Sequence, residues 1–584
     1  MLWRQIEDRQ AIGIPQTRIA LRRHKNPSLL ATGLSILLPG PSDEGRLQTG
    51  RVTADNQAMK VGPESELRSA SSRALMGDRL LIFLMTLGLY GLLMQRYPII
   101  YGGDPVVRLV NFPKILMGYQ LPLLQVLIHY TMRWFYGPGG IFWLMAFISA
   151  AACAGLHALT WEITQDRRAA WMAAILYATH PFVLYYSRVP YQEPLLMAAI
   201  AWGFYYLFRR ASLTDSLLSS TFFGLACFSR YEGWIAALAA AFFRIRQKRQ
   251  SEGKIEFASV IQSLALFGWA PAVWILWNRD LSPAGSYVLD LGLEWGRLYR
   301  PYFVMKSALW WTESAVVLMA LAGLVYSWLD ARIRNERRTL ALLGLLVLLL
   351  AALLFSGHGI EPDPTRLVTE REAFIPVSIL VLYAGIGGGW LSSECRKRLA
   401  NSPWLRSGIP LLALLVAAGY GLNRGIHRVA AANADADLKT DYQVAQFLAG
   451  KQASGLVLAS PLPGEPIESY LRSVEKWSGP KGRERALRFL QEVETTPLDY
   501  QRVLMFSWLG KDKIISADRL RGLPSPDIER FLREKQIEYL VVFSDFAPVA
   551  EHERIITDLY AGRRSPELEI RNGDKAARVY SLRF

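Results

Sequence analysis

The sequence predicts a polytopic α-helical membrane protein that ends in a soluble α/β domain. Hydrophobic residues make up 51% of the 584 residues, and the mean hydropathy is +0.16. About eleven apolar runs fall between residues 79 and 424, each near the roughly 20 residues that a bilayer core requires. After about residue 430 the composition becomes that of an ordinary soluble domain. Together these observations favour a membrane bundle followed by a separate domain.

The segment 1–77 is polar apart from one apolar run, 28–38, which is too short to span a bilayer. The pair Arg22-Arg23 weakly resembles an export signal, but no convincing cleavage site follows it. We interpret the segment as a disordered cytoplasmic tail, or as an extension ahead of a true start at Met76. We assign it no function.

The helical domain is predicted over residues 78–425. Its apolar runs are 79–95, 138–160, 168–186, 193–208, 214–228, 233–243, 258–277, 308–328, 339–356, 373–391 and 408–423. Between the first two runs, residues 121–135 interrupt apolar residues with Gln125, His129 and Arg133. That pattern is typical of a helix lying in the membrane interface rather than crossing it.

Lysine and arginine counts orient these runs. The predicted internal loops are 161–170, 207–216, 244–254, 330–338 and 393–407, and the external loops are 96–137, 187–192, 229–233, 279–307 and 357–373. The internal loops hold 17 Lys and Arg in 55 residues, and the external loops hold 12 in 99. This asymmetry places the N-terminus inside, and an odd number of spans then places the C-terminus outside. It also explains the net charge of +16 without nucleic-acid binding.

The external domain is predicted over residues 430–584. Its predicted strands are 455–459, 502–508, 538–543 and 578–582, and its predicted helices are 437–450, 466–477 and 525–535. Alternation of this kind indicates an α/β domain with a partly parallel sheet. No glycine-rich phosphate loop follows any of these strands, so nucleotide binding is not indicated.

Candidate chemical groups collect in the external loops. They are Asp104, then Arg188 with Glu193, then Arg230 with Glu232, then Lys306, and finally His358, Glu361, Asp363, Arg366, Glu370 and Arg371. Each has a structural interpretation: a Gly-Asp-Pro turn, a helix-opening glutamate, or an Arg–Glu ion pair. A metal ion held by His358, Glu361 and Asp363 is not indicated by their spacing. Because all of them are predicted to lie on one face of the membrane, a shared catalytic site is favoured over these separate structural roles.

That face suits transfer of a sugar from a polyprenyl-phosphate carrier. The phosphate is already a good leaving group that needs cations, and the acceptor hydroxyl needs one general base. Asp104 is the expected base. We expect phosphate contacts from Arg371, with Arg230, Lys306 or Arg366, because arginine binds phosphate bidentately.

Over about residues 79–425 the chain resembles the GT-C superfamily of membrane glycosyltransferases, and within it family 39-type enzymes. The resemblance rests on Gly103-Asp104-Pro105, the segment 118–122, the span 139–156, Arg188 with Glu193-Pro194, and the turn 229–233. It implies an inverting transfer with Asp104 as base and Glu193 at the second acidic position. Many members have Asp-Glu where this chain has Asp104-Pro105. The Trp-Trp-Asp-Tyr-Gly signature of oligosaccharyltransferases is absent.

The sequence therefore predicts a glycosyltransferase of the inner membrane, with Asp104 and Glu193 as catalytic residues. Further substrate-site candidates are Arg188, Glu232 and His358 with Glu361. The expected partners are a polyprenyl-phosphate sugar, membrane lipid, and an acceptor that is protein, lipid or glycan. No cofactor is required, and a divalent metal is possible but not indicated. The alternatives are a transporter or flippase for a lipid-linked or small solute, and a sensor or scaffold.

Overall fold

A computed structural model describes most of the helical region and the core of the C-terminal sheet. The described residues are 63–99, 105, 108–109, 121–135, 138–209, 212–254, 256–281, 299–330, 333, 338–355, 371–399, 402–434, 436–451, 456–459, 514–516, 524–543, 565–573 and 575–582. Residues 1–62 of the tail predicted over 1–77 lie outside them, as do the strand predicted at 502–508 and the helix predicted at 466–477. Residues 63–77, which were predicted as part of the tail, are helical.

The described part of the chain up to residue 451 is mainly helical. Its helices are α1 Pro63–Arg96, α2 Leu123–Trp134, α3 Pro138–Thr164, α4 Arg167–Thr179, α5 Pro181–Tyr186, α6 Glu193–Phe208, α7 Leu213–Ser229, α8 Glu232–Glu252, α9 Phe257–Leu281, α10 Tyr299–Trp311, α11 Ser314–Leu329, α12 Arg338–Phe355, α13 Phe374–Arg398, α14 Pro403–Asn433 and α15 Ala436–Gly450. Every predicted apolar run coincides with one of these helices or with a consecutive pair.

The length of the helices matches a membrane protein, although the predicted number of spans is not settled by it. Within the described ranges, five helices are long and apolar enough to cross a bilayer, or six if the bent pair α10 and α11 counts as one. The shorter apolar helices include α6 and the first part of α12. A count of eleven spans therefore stays a prediction.

Helix α13 forms the centre of the bundle. It packs against α4 on one side and α11 on the other, with most of its central span buried. A Cβ atom added at Gly387 would collide with the backbone of Met319, and one at Gly385 would collide with Ala173. Small residues let membrane helices approach to backbone contact, and van der Waals packing then replaces the missing hydrophobic drive between helices.

Two apolar runs are broken where the sequence predicts continuous helices. At His180-Pro181 the chain leaves α4 and starts α5, with the His180 ring accepting the backbone N–H of Phe182. At Thr312-Glu313 the chain bends by 113° between α10 and α11. Hydropathy averages over such breaks, because the residues on both sides remain apolar. The bend turns α10 away from the direction of α11.

The C-terminal sheet is mixed, as predicted. Its strands are β1 Leu456–Ala459, β2 Ile514–Ser516, β3 Ile537–Phe543, β4 Leu568–Asn572 and β5 Lys575–Ser581, with α16 Ser525–Glu534 before β3. The strand order is β2-β1-β3-β5-β4, parallel among the first three and antiparallel for β3-β5 and β5-β4. Strands β2 and β4 were not predicted, because one is very short and the other has alternating exposure with few apolar residues.

Helix α15 covers part of this sheet. Its Val444 and Leu448 pack with Val541 of β3 and Val579 of β5 in a small apolar core of their own. Helix α14 runs on to Asn433, past the predicted end of the helical domain at residue 425, because the apolar run ends before the helix does. The division into domains at 425–430 stays a prediction.

Candidate functional site

Three segments that are far apart in sequence meet around Arg230. The Nε of Arg230 donates to both carboxylate oxygens of Glu232, each at 3.0 Å. The Nη2 of Arg230 donates to Glu232 Oε1 at 2.8 Å. Its Nη1 donates to Glu193 Oε1 at 2.5 Å. Arg371, three residues before the start of α13, is close enough for its charge to act on Arg230. We call these four residues the Arg230 cluster.

The turn between α7 and α8 fixes Arg230 and Glu232. The backbone N–H of Gly233 donates to the Arg230 carbonyl oxygen at 2.9 Å, and the Arg230 N–H donates to Ala226 at 3.1 Å. A Cβ atom at Gly233 would collide with the Ala226 carbonyl, so only glycine lets α8 start this close to α7. The short turn therefore holds its arginine and its glutamate in one orientation.

Glu193 enters the cluster from the first turn of α6. The following Pro194 is suited to a helix start, because it lacks the N–H that would have no partner there. The partial positive charge at a helix N-terminus also stabilises a carboxylate. One oxygen, Oε1, binds Arg230, whereas the buried Oε2 has no hydrogen-bond partner among the described residues. The cluster thus keeps one acceptor atom available.

The cluster is buried and close to charge balance. Glu193 is 2% exposed, and the Arg230 side chain is 15% exposed. Burial lowers the pKa of Arg230, but the charges of Glu193 and Glu232 outweigh it and hold that pKa above its usual value. Arg371 acts in the opposite direction. The cluster therefore combines two arginines and two glutamates, whose formal charges cancel.

An aromatic layer extends from this cluster. The guanidinium carbon of Arg371 lies 5.3 Å from the ring centroid of Tyr191, which lies 5.3 Å from that of Tyr186. Tyr186 in turn lies 6.5 Å from Trp311 at the end of α10. Cation–π contact with a tyrosine face orders an arginine without using its N–H donors. The ring of Tyr191 therefore helps to order the Arg371 guanidinium.

The loops at the opposite end of the bundle meet one another. There, Arg167 pairs with Asp78 at 2.5 Å, Arg338 with Glu162 at 3.2 Å, and Arg209 with Asp215 at 3.5 Å. These contacts separate the described loops into two ends, in agreement with the alternation that the sequence predicts.

The remaining predicted site residues are placed less centrally or lie outside the described residues. Arg188 is buried and donates to the Ile99 carbonyl and, at 3.5 Å, to Asn433 Oδ1, so it joins the ends of α1 and α14. Lys306 is exposed on α10. Asp104, His358, Glu361 and Arg366 fall outside the described ranges, together with Asp363 and Glu370. Their roles stay predictions.

Within the described ranges, no three His, Cys, Asp or Glu side chains come together in a way that could hold a metal ion. The three residues considered as ligands from the sequence, His358, Glu361 and Asp363, lie outside those ranges.

Sequence reasoning missed Arg108. It follows Asp104 by four residues, is 2% exposed, and its carbonyl accepts a hydrogen bond from Gln125 of α2 at 3.1 Å. Pro105, next to Asp104, is also buried. An arginine flanked by Val107 and Leu109 was the available signal, since a cation in an apolar run is expensive unless it has a purpose. The first external loop thus brings a buried cation close in sequence to the predicted base.

Comparison with known proteins supports the fold. No protein family and no curated protein matches the sequence. Among solved structures, ArnT from Cupriavidus metallidurans bound to undecaprenyl phosphate has a TM-score of 0.50 at 10% identity, covering 86% of this chain and 98% of that one. The oligosaccharyltransferase of Archaeoglobus fulgidus has a TM-score of 0.44 at 13% identity, covering 79% of this chain and 69% of that one. The mycobacterial arabinofuranosyltransferase AftD has a TM-score of 0.41 at 14% identity, covering 86% and 40%.

At 10% identity, the likeness to ArnT extends to the fold and no further. The similarity in fold extends over nearly the whole of ArnT. The predicted fold class, a polytopic α-helical membrane protein with a small sheet near its C-terminus, is confirmed.

Proposed function

We propose that the protein is a membrane glycosyltransferase that moves a sugar from a polyprenyl-phosphate carrier to an acceptor outside the cytoplasm. The observation that carries this proposal is the Arg230 cluster, where two arginines meet at one end of a membrane bundle. A lipid-linked phosphate reaches such a site from the bilayer with its lipid chain still among the helices. The proposal places the protein in the inner membrane with the C-terminal domain outside.

The proposed donor site uses Arg371 and Arg230. As the bond between the sugar C1 and the phosphate oxygen breaks, its electron pair stays on the phosphate, and the negative charge there increases. Fixed cations stabilise this charge more in the transition state than in the bound donor, which is the condition for acceleration. Arg371 is already oriented by Tyr191, and Arg230 by two glutamates. Lys306 and Arg366 are further candidates for the same phosphate.

The proposed base is Asp104. It takes the proton of the acceptor hydroxyl while that oxygen forms its bond to C1 on the face opposite the phosphate, so the configuration at C1 inverts. We assign Glu193 a contact with the substrate through Oε2, its oxygen with no partner among the described residues. The acceptor is a protein, a lipid or a glycan that carries a hydroxyl group.

The likeness in fold to ArnT also supports the proposal. The ArnT structure that shares it is bound to undecaprenyl phosphate, which is the type of carrier that the proposal requires. Transfer of a sugar from a lipid-linked donor is therefore compatible with this fold.

A product assay tests the proposal. Purified protein in lipid vesicles is given a panel of polyprenyl-phosphate sugars and candidate acceptors, and mass spectrometry detects transferred sugar. Asp104→Asn should lower transfer by about 10²–10⁴-fold, the range for loss of a general base, while membrane insertion is kept. Asp215→Asn, a carboxylate change at the opposite end of the bundle, is the control and should leave transfer unchanged.

Full transfer by Asp104→Asn would refute the assignment of the base. Accumulation of solute in the vesicles without any covalent product would favour a transporter or flippase instead. These two results are independent, because the first compares variants of a working enzyme and the second concerns whether transfer occurs at all.

A further inference from the structure

The outer face of α14 combines an apolar stripe with a pair of arginines. Leu412, Val416 and Tyr420 are 58–62% exposed, and their spacing of four residues places them along one side of the helix. In a membrane bundle, exposed apolar side chains of this kind face lipid chains. One and two turns further along the same helix come Arg424 and Arg428.

Trp310 of α10 holds both arginines. Its ring centroid lies 5.1 Å from the Arg424 guanidinium carbon and 4.9 Å from that of Arg428. Arg424 Nη2 also donates to the Trp310 carbonyl oxygen at 3.0 Å. The tryptophan, itself about half exposed, thus orders two cations that would otherwise lose conformational entropy on binding an anion.

The two arginines have no carboxylate partner within the described ranges. Their hydrogen bonds and ring contacts there are with Trp310 and Trp311. The charge of Arg424 acts on Glu313, but the two form no ion pair among the described contacts. Glu313 is buried at the bend between α10 and α11. Like charges one helical turn apart repel each other, so an anion between them would relieve that cost.

The height of the arginines matches the headgroup level of a bilayer. Exposed apolar side chains extend along α14 from Trp404 to Tyr420, a rise of about 24 Å that approaches the roughly 30 Å of the hydrocarbon core, and the two arginines follow at its edge. Arg428 also lies 5.5 Å from Trp311, which belongs to the aromatic layer that leads to Arg371. The arginines are therefore at the same end of the bundle as the Arg230 cluster.

We propose that this surface of α14 and α10 binds an anionic phospholipid of the surrounding bilayer. Its phosphate lies between Arg424 and Arg428, and an acyl chain follows the stripe from Tyr420 to Leu412. The surface faces outward and combines two cations with exposed apolar side chains, which favours a bilayer phospholipid over a lipid-linked sugar. The proposal depends on the membrane fold and not on the proposed transfer reaction.

Native mass spectrometry with phosphatidylglycerol and phosphatidylcholine tests the proposal. The wild type should retain phosphatidylglycerol preferentially, and the double variant Arg424→Gln/Arg428→Gln should bind it about thirty-fold more weakly, at about 1 kcal/mol per arginine. The matched control is Arg246→Gln/Arg249→Gln, which removes two exposed arginines from the end of α8 and should keep wild-type binding. If the double variant does not fold, Arg428→Gln alone should weaken binding about five-fold.

Equal retention of phosphatidylglycerol by the wild type and the Arg424/Arg428 variant would overturn the proposal. So would an equal loss in the Arg246/Arg249 control, because the effect would then be one of total charge. Two competitors identify the source of the phosphate. Displacement by inorganic phosphate at equal concentration would show that the lipid chain is irrelevant, and displacement by undecaprenyl phosphate with the same arginine dependence would assign the surface to the donor. No sugar transfer is measured, so failure here leaves the proposed function untouched.

Discussion

At one end of the helical bundle, arginines and carboxylates meet in separate pairs. Arg167 with Asp78, Arg338 with Glu162, and Arg209 with Asp215 each join two neighbouring elements. At the other end, Arg230 alone takes up two carboxylates, and Arg371 adds a second cation to the same group. Both ends use the same residue types, so composition does not distinguish them.

The difference lies in how the carboxylates are shared and, for two of the three pairs, in burial. Arg167 and Arg209 are 60% and 44% exposed, whereas Arg338, at 18%, is buried about as far as Arg230, at 15%. Glu193, at 2%, is the most buried carboxylate of these pairs. Exposed pairs contribute roughly 0–1 kcal/mol and are easily replaced. A buried group of four charges stabilises little by itself, because desolvation offsets attraction. Such a group is therefore weak evidence of a stabilising role.

The largest expected effect separates the two ends by stability. Arg230→Gln leaves the buried Glu193 and the partly buried Glu232 without their cation and should lower the free energy of unfolding by about 3–5 kcal/mol. Arg209→Gln, the same change at the other end, should cost less than about 1 kcal/mol, because Arg209 is half exposed. Unfolding in mixed detergent–SDS micelles measures both. Equal losses would mean that the two ends do not differ as described.

The second prediction separates the two glutamates within the cluster. Glu232 uses both oxygens on Arg230, whereas Glu193 uses one and keeps Oε2 without a partner in the described part of the chain. Glu193→Gln should therefore reduce sugar transfer roughly 10- to 100-fold, as expected when a charged hydrogen bond of about 1.5–3 kcal/mol to substrate is lost. Glu232→Gln should act mainly on unfolding.

The measurement is the ratio of transfer rate to folded fraction in each variant. If Glu193→Gln and Glu232→Gln lose transfer only in proportion to the protein they unfold, both glutamates are structural partners of Arg230 and neither touches substrate. A control that removes a carboxylate from the other end, Glu162→Gln, should change neither quantity by more than a few-fold, because its partner Arg338 also donates to a backbone carbonyl.

Sequence reasoning predicted this end of the bundle for a physical reason. Charges in short turns between apolar runs must lie at the membrane boundary, and alternate turns must lie at the same boundary. That logic placed Glu193, Arg230 and Arg371 at one end without any knowledge of their contacts. It could not give the partners, since whether Arg230 pairs with Glu232, Glu193 or both depends on the approach of α7 to α8 at Gly233.

The features that were missed are those that hydropathy does not encode. The breaks at His180 and at Thr312-Glu313 interrupt apolar runs without changing their polarity, so they were predicted as continuous. Arg108 was counted only as one charge in a long loop, although it is buried. The arginine pair on α14 lies beyond the predicted end of the last run. These features depend on where the chain turns and on what covers each side chain. An average of hydropathy over a stretch of sequence records neither.

The smallest expected effect concerns the aromatic rings under the arginines at the two ends. Arg371 lies over Tyr191, and at the other end Arg79 and Arg209 lie over Tyr205, at 4.7 Å and 5.5 Å. A cation–π contact of about 0.5–1 kcal/mol predicts that Tyr191→Leu raises the KM for the lipid-linked donor about two- to five-fold. Tyr191→Phe keeps the ring face and should stay near wild type.

Tyr205→Leu removes the corresponding ring at the paired end and also the hydroxyl that accepts from Arg79 at 2.9 Å. Because those arginines are structural, this variant should lower stability and leave the KM for the donor unchanged. A rise in KM with Tyr205→Leu, or none with Tyr191→Leu, would mean that ordering of Arg371 does not set donor affinity. Donor recognition would then depend on cations outside the Arg230 cluster, and the contrast between the two ends would be one of burial alone.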